Sequence, residues 1–227
     1  LGIRLHAAYG MSETCPFLTV ADLSSTDPDT QSQTGFPAPL VDLRVVTPDM
    51  HDVPNDSETT GEIIVRAPWL TKGYMRNPKA SKDLWKNGYL HTGDVGYIRE
   101  NGSLQVTDRL KDVIKTGGEW ISSLAIENIA SLYSGIEEVA AIGIPDEKWG
   151  ERAVLVAKLS NKALPDIVRQ ELKRKFQEHV ELGEISKWAI PDNIFFVEKL
   201  PKTSVGKLDK KAIRKNVLTL NETNNDR

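Results

Sequence analysis

Residues 88–122 read GYLHTGDVGYIRENGSLQVTDRLKDVIKTGGEWIS. Asn101-Gly102 lies between two short alternating runs, Tyr97-Ile98-Arg99-Glu100 and Ser103-Leu104-Gln105-Val106. That dipeptide in that setting predicts a two-residue hairpin, because both central turn positions need positive φ. TGD (92–94) stands just before the hairpin and DRLKD (108–112) just after it. A tight hairpin returns the chain to its start, so Asp94 and Arg109 are expected side by side. Further on, Gly117-Gly118 lets the backbone pass close to something that a Cβ would block. The stretch reads as a joint between two pieces of chain.

Upstream of the joint the sequence is strand-rich. Residues 4–9 read as a short strand that leads into Gly10-Met11-Ser12-Glu13. Ser12 and Glu13 there serve either as a plain helix N-cap or as a turn rich in donors and acceptors. Residues 22–34 are polar and read as loop. Val41, Leu43 and Val45 alternate with Asp42 and Arg44, the pattern of a half-buried strand, and 62–66 form another. Downstream, 122–133 predicts a helix capped by Ser122 or Ser123, with Ile126, Ile129 and Tyr133 on one face. Residues 136–144 and 152–159 are apolar runs, read as buried strands joined by a turn over 145–151. Pro165 opens a helix with Val168, Leu172, Phe176 and Val180 at i+4 spacing. Its other face, with Arg169, Lys173 and Lys175, reads as solvated. Residues 193–197 are a third strand, PKTSVGK (201–207) a loop, and Asp209 caps a last helix with Ala212, Ile213 and Val217 inward. Residues 221–227 are expected to be disordered. The fold class is therefore α+β: a β-rich piece followed by a compact αββαβα piece, with the boundary at DRLKD.

Composition narrows the function classes. Hydrophobic residues are 39% and charged residues 27% of 227, the mix of a globular protein. A net charge of −3 gives no global pull toward nucleic acid or membrane. A single cysteine, Cys15, excludes an internal disulfide and suits a reducing, cytoplasmic compartment. Four histidines and that cysteine show no zinc spacing. No apolar run is long enough to span a bilayer as a helix. The first residues lack the pattern of a signal peptide and there is no initiator Met, so the chain is expected to be a fragment of a longer protein.

The candidate chemistry sits around the joint and in the last loop. Asp94 can accept two hydrogen bonds at once, which suits a vicinal diol such as a ribose; alone, a TGD aspartate caps its own turn. The planar fork of Arg109 suits the same diol or a phosphate, and an ion pair with Asp108 or Asp112 reads it as well. Across a tight hairpin the two together favour a ribose. Lys111 stands in the joint, as a partner-swapping cation or a solvated one. Gly117-Gly118 is no phosphate loop, since no GxxxxGK occurs. It reads as a bend or as a floor for a thin ligand arm. Lys207 can bridge a carboxylate and a phosphate as a mobile point charge, or belong to a lysine-rich tail with Lys199, Lys202, Lys210, Lys211 and Lys215. That tail has no interleaved aromatics, which disfavours nucleic-acid binding.

Five ordered stretches carry a resemblance: YGMSE (9–13), TGE (60–62), YLHTGD (89–94), DRLKDVIKTGGEWIS (108–122) and PKTSVGK (201–207). In this order they resemble the adenylate-forming superfamily of acyl-CoA synthetases, luciferases and adenylation domains. GGEWISS followed by PDEKWGE (145–151) is most similar to the medium- and long-chain fatty acyl-CoA ligase branch. The resemblance implies that residues 1–108 are the end of a large AMP-binding domain and 109–220 a small mobile C-terminal domain. It implies that Tyr9 lies against adenine, that Gly10 belongs to the nucleotide site and that Ser12 contacts the α-phosphate. Glu13 would help hold Mg²⁺, and Asp94 and Arg109 would hold the ribose hydroxyls. Lys111 would be the hinge, Lys207 the catalytic lysine, and Gly117, Gly118 and Trp120 the lining of the CoA pantetheine path. The implied reaction joins a fatty acid to ATP as an acyl-adenylate and then passes the acyl group to CoA.

The family's phosphate loop and most of its acyl pocket lie upstream of the first match, so the 227-residue chain alone is expected not to activate fatty acids. Two rivals remain: a non-catalytic nucleotide- or CoA-binding module, and an adenylation domain that loads a carrier protein. Acyl length and oligomeric state are not encoded in these motifs.

Overall fold

The computed structural model describes residues 4–15, 17–24, 34–161, 163–204 and 206–225, with the backbone alone for 220–225. The loop expected over 22–34 lies mostly outside the described residues. The chain divides into two compact units, Leu1–Leu110 and Lys111–Arg227. The division falls two residues beyond the compositional one, because the Leu110 N–H donates to Gly93 O (2.8 Å) and ties the end of the joint to the first unit.

The first unit is mainly sheet. β1 (His6–Tyr9), β2 (Thr19–Asp22) and β3 (Phe36–Pro37) form one antiparallel sheet. β4 (Asp42–Val46), β5 (Gly61–Arg66), β6 (Trp85–Lys86), β7 (Tyr89–Ile98) and β8 (Leu104–Arg109) form a second, ordered β4-β5-β7-β6 with β8 also on β7. A short helix, α1 (Pro78–Leu84), starts at a proline that needs no N–H there, and Asn77 Oδ1 accepts from the Ala80 N–H (3.1 Å). Alternate residues of β5 point to opposite faces, so Ile63 and Val65 enter the core with Leu18, Val45, Leu90 and Leu104.

The hairpin at the centre of the joint differs from the sequence expectation. β7 and β8 pair Ile98 with Leu104, and the Arg99 N–H donates to Ser103 O (2.8 Å). In that turn only Gly102 takes a positive φ, 85°. Asn101 Oδ1 accepts from the Ser103 N–H (2.9 Å) and hydroxyl (2.7 Å), which holds Asn101 out of the left-handed region. The result is the three-residue form of hairpin, closed by one left-handed glycine. The two-residue turn lies further on. In the second unit β9 (Ile114–Thr116) and β10 (Glu119–Ile121) pair Thr116 with Glu119 across Gly117 (φ 58°) and Gly118 (φ 85°). A Cβ on Gly118 would meet nothing within 4 Å, and one on Gly117 would only touch the Trp188 ring at 3.4 Å. Backbone conformation, not space, is what demands these glycines. Gly118→Ala is expected to destabilise this unit by about 1–2 kcal/mol, read as a lower urea midpoint at unchanged m.

After that hairpin the second unit has the expected αββαβα order: α2 (Ser123–Ser131), β11 (Ile136–Asp146), β12 (Gly150–Leu159), α3 (Pro165–Glu181), β13 (Asn193–Phe196) and α4 (Lys210–Asn225). β11 and β12 read as continuous apolar runs because helices cover both faces. Val139, Ala141, Leu155 and Ala157 meet Ile126, Val168, Leu172 and Phe176 of α2 and α3. Ala140, Ile142, Val154 and Val156 meet Ile213 and Val217 of α4. Ser122 Oγ caps α2 through the Ala125 N–H (3.1 Å), and Asp209 caps α4 through the Ala212 N–H (3.0 Å).

Three expectations are corrected. The stretch read as a disordered tail continues as helical backbone to Asn225. Arg169 is not simply solvated: its guanidinium lies 5.1 Å over the Phe196 ring and donates to Ile194 O (3.2 Å), folding its stem over the sheet edge. Ser12 caps no helix. It lies inside a single turn, Ser12–Thr14, where Thr14 Oγ1 bonds the Met11 N–H and O (both 2.9 Å).

Candidate functional site

TGD is built as a bulge. Glu62 of β5 pairs with Val95, and Ile64 with His91, so Ile63 alone faces Thr92, Gly93 and Asp94. Gly93 takes φ 69° to make the bend. The Thr92 hydroxyl donates to Ile63 O (2.7 Å) and accepts from the Asp94 N–H (3.0 Å). A bulge of this kind re-aims a side chain, here that of Asp94. The next strand supplies Arg109 directly opposite, as Asp94 and Arg109 are Cα partners.

The carboxylate of buried Asp94 becomes a hub. Tyr9, at the end of β1, donates its hydroxyl to Asp94 Oδ2 (2.7 Å). Arg109 Nε lies 3.3 Å from Asp94 Oδ1, while 57% of the Arg109 side chain stays exposed and can reach outward. The pairing of Arg109 is therefore with Asp94; Asp108 Oδ1 accepts only the Arg109 backbone N–H (2.7 Å). Burial first, and the Asp94 charge second, push the Tyr9 phenol far above its ordinary value. The raised folded value means that this stabilisation is fully present below the ordinary pKa of about 10 and is lost only as pH rises toward the folded one. Tyr9 thus stays a neutral donor, and Asp94 retains lone pairs for a diol.

Glu13 has an unforeseen partner. The Tyr74 hydroxyl donates to Glu13 Oε1 (2.5 Å), and the Thr71 N–H donates to Glu13 O (3.0 Å). That hydrogen bond raises the Tyr74 phenol above its usual value. Exposed Gly10 follows Tyr9 directly and leads into the turn that carries exposed Ser12. Among the described residues no group of three or more His, Cys, Asp and Glu could hold a metal ion. A Mg²⁺ ion held through nucleotide phosphates needs only one or two carboxylates, so the single carboxylate of Glu13 fits such a role.

The other candidates belong to the second unit. Lys207 is exposed on the loop between β13 and α4, where the Thr203 N–H donates to Lys207 O (2.7 Å) and the Gly206 N–H to Thr203 O (2.9 Å). Lys111 joins Thr203, Leu208 and Arg214 around a cavity of about 300 Å³, which places it beside that loop. Gly117 and Gly118 form the tip of the β9–β10 hairpin. Trp120 lies on its strand with Lys115 Nζ 5.4 Å over its ring.

Sequence reading missed the aromatic group beside this tip. Trp149 and Trp188 pack with ring centroids 4.6 Å apart, and the Gly117 N–H donates to Trp149 O (3.0 Å). Lys148 lies 4.6 Å over Trp149, and Lys187 (5.2 Å) and Arg152 (5.6 Å) lie over Trp188. The local signal was a lysine before each tryptophan, Lys148-Trp149 and Lys187-Trp188. Among the described residues no helix is long and apolar enough to cross a membrane.

This α+β architecture, with a diol-sized hub in one unit and a lysine-bearing loop in the other, is that of adenylate-forming enzymes. The chain belongs to the AMP-binding enzyme family, which matches residues 1–75, while the AMP-binding enzyme C-terminal domain matches residues 125–207. Among curated relatives, the long-chain-fatty-acid–CoA ligase of Thermus thermophilus is 36% identical over 94% of this chain and 40% of its own length. The medium-chain-fatty-acid–CoA ligase of Ectopseudomonas oleovorans is 33% identical over 94% of this chain and 39% of its own. Among solved structures, the o-succinylbenzoate CoA synthetase of Bacillus subtilis, in complex with its acyl-adenylate intermediate, aligns with a TM-score of 0.78. It is 26% identical and covers 94% of this chain and 41% of that one. The chain therefore spans about two fifths of the length of the relatives it matches.

Proposed function

We propose that this chain serves as the carboxy-terminal part of an AMP-forming fatty acyl-CoA ligase. The observation that carries the reading is the Tyr9–Asp94–Arg109 cluster, a desolvated carboxylate flanked by a neutral donor and an exposed guanidinium. It suits the two hydroxyls of a ribose. Residues 1–108 then complete a large AMP-binding domain, and 109–220 form a small domain that turns about Lys111.

In the first half-reaction a carboxylate oxygen of the acid attacks the α-phosphorus of ATP, and the bond to pyrophosphate breaks. Tyr9 and Gly10 line the adenine, Asp94 and Arg109 hold the ribose, and Ser12 donates to the α-phosphate. Glu13 would supply a carboxylate to Mg²⁺, and the ion would neutralise phosphate charge there. Lys207 offsets the charge that builds between the acid and the phosphate. In the second half-reaction the CoA thiol loses its proton and attacks the acyl carbon, and AMP leaves. Gly117, Gly118 and Trp120 line the pantetheine path. The Trp149–Trp188 pair with Lys115, Lys148 and Lys187 supplies planar faces and cations that suit the base and phosphates of CoA.

A screen of straight-chain acids with ATP and CoA tests the reading in an enzyme that carries this chain. Equal amounts of AMP, pyrophosphate and acyl-CoA are expected. ADP and phosphate in their place, or no acid-dependent AMP, would contradict it. The unpaired Cys15 suits a reducing, cytoplasmic setting.

A further inference from the structure

The loop bearing Lys207 is held in an unusual way. Its entry, Leu200, is fully buried, and Leu208 packs on the α4 side of the sheet. Between them the loop closes on itself through Lys202 and Leu208, which pair as an isolated bridge. A cavity of about 330 Å³ separates it from α2 and β11, with Gly206 and Leu208 on one side and Leu124, Asn128 and Val139 on the other. A loop that faces a gap lacks the dispersion contacts that fix a packed segment.

One ion pair crosses the gap, and a second ties the chain just beyond the loop to α2. Lys202, inside the loop, pairs with Glu138 of β11. Lys210, just after the loop, pairs with Glu127 of α2 at 2.7 Å and donates to Ser123 Oγ (2.6 Å). Glu127 Oε1 also accepts the Ala141 N–H (2.9 Å), which ties the inner pair to β11 as well. The inner pair is largely buried, with 15% and 14% of the two side chains exposed, whereas the outer pair keeps 41% and 28% exposed. Salt screens the outer pair more than the inner one.

We infer that Glu127 and Glu138 are positioning residues for Lys207: through Lys210 and Lys202 they fix both flanks of its loop and so set where its ammonium stands. The inference rests on the reading of Lys207 as the catalytic lysine. A cation that must meet a carboxylate and a phosphate together tolerates little displacement, since a misplacement of about 1 Å can cost up to about 10²-fold in rate. Both glutamates belong to the second unit with Lys207, whereas Tyr9, Asp94 and Arg109 belong to the first.

The test separates the half-reactions in an enzyme that carries this chain. Glu138→Gln and Glu127→Gln keep shape and acceptor while removing charge. Each is expected to lower kcat for adenylate formation about tenfold at unchanged KM for ATP. Transfer from supplied acyl-adenylate to CoA should stay within about twofold. The charge swap Glu138→Lys with Lys202→Glu should restore the first half-reaction to within about threefold. Raising ionic strength should mimic Glu138→Gln. Equal losses in both half-reactions, tracking a lower Tm, would show a merely structural pair and overturn the inference. So would unchanged adenylate formation in both glutamine variants beside an inactive Lys207→Ala. If Lys207→Ala itself forms adenylate normally, the reading of the lysine fails, and the inference with it.

Discussion

Asp94→Asn, in an enzyme that carries this chain, is expected to cut acyl-adenylate formation by about 10²–10⁴-fold. On the proposed reading the carboxylate accepts from two ribose hydroxyls, and each charge-assisted bond is worth about 1.5–3 kcal/mol. Asparagine keeps the shape and one acceptor for the Tyr9 hydroxyl, so the fold should persist. Asp94→Ala removes the hub altogether. It leaves the Tyr9 hydroxyl without the acceptor it has at 2.7 Å and should destabilise the first unit by about 1–3 kcal/mol in addition. Thermal unfolding of the two variants separates the effects: a melting shift confined to alanine, with the rate loss common to both, is the expected pattern. Both half-reactions should suffer with asparagine, because the proposed function keeps the ribose on Asp94 through both.

Lys207→Ala is expected to behave differently. Adenylate formation should fall by about 10²–10³-fold, the cost of removing one preorganised charge from a developing transition state. Transfer from supplied acyl-adenylate to CoA should remain within about threefold of wild type. Stability should change by less than about 0.5 kcal/mol, because the side chain is exposed. Rapid-quench measurement of pyrophosphate release, beside thioester formation from synthetic adenylate, gives the two rates. Survival of both half-reactions, or equal loss of both, would contradict the assigned role.

Much of the second unit was legible because its signals are local. The i+4 series Val168, Leu172 and Phe176 fixed α3, and all three are buried. Asp209 announced its cap, and of the two candidates Ser122 and Ser123 it is Ser122 that caps α2. The apolar runs of β11 and β12 were read as buried strands, and α2 and α3 on one side and α4 on the other bury them. The three-residue turn alone would set Asp94 opposite Asp108, but an irregularity between Val95 and Gly96 restores the register, so Asp94 still meets Arg109 despite the error in the turn. The turn type was missed because Asn101 bonds to Ser103, a choice that composition does not display.

What the sequence hid depends on distant partners. The bulge at Gly93 appears only when β7 pairs with β5, since Thr92 anchors on Ile63. Tyr74 reaches Glu13 across 61 positions. Trp149 and Trp188 meet only after α3 has crossed back over the sheet. The pairs of Lys202 with Glu138 and of Lys210 with Glu127 looked like members of a lysine-rich tail. Only the strand and helix beneath them give those lysines partners.

The most direct test of the ribose site removes the interaction from both sides. Inhibition of adenylate formation by AMP and by 2′,3′-dideoxy-AMP is compared in wild type and Asp94→Asn. If Asp94 holds the hydroxyls, wild type should prefer AMP by about 10²-fold or more, and Asp94→Asn should discriminate by less than about threefold. Equal discrimination by the two proteins would show that the hydroxyls are read elsewhere, and the account of this site would be wrong.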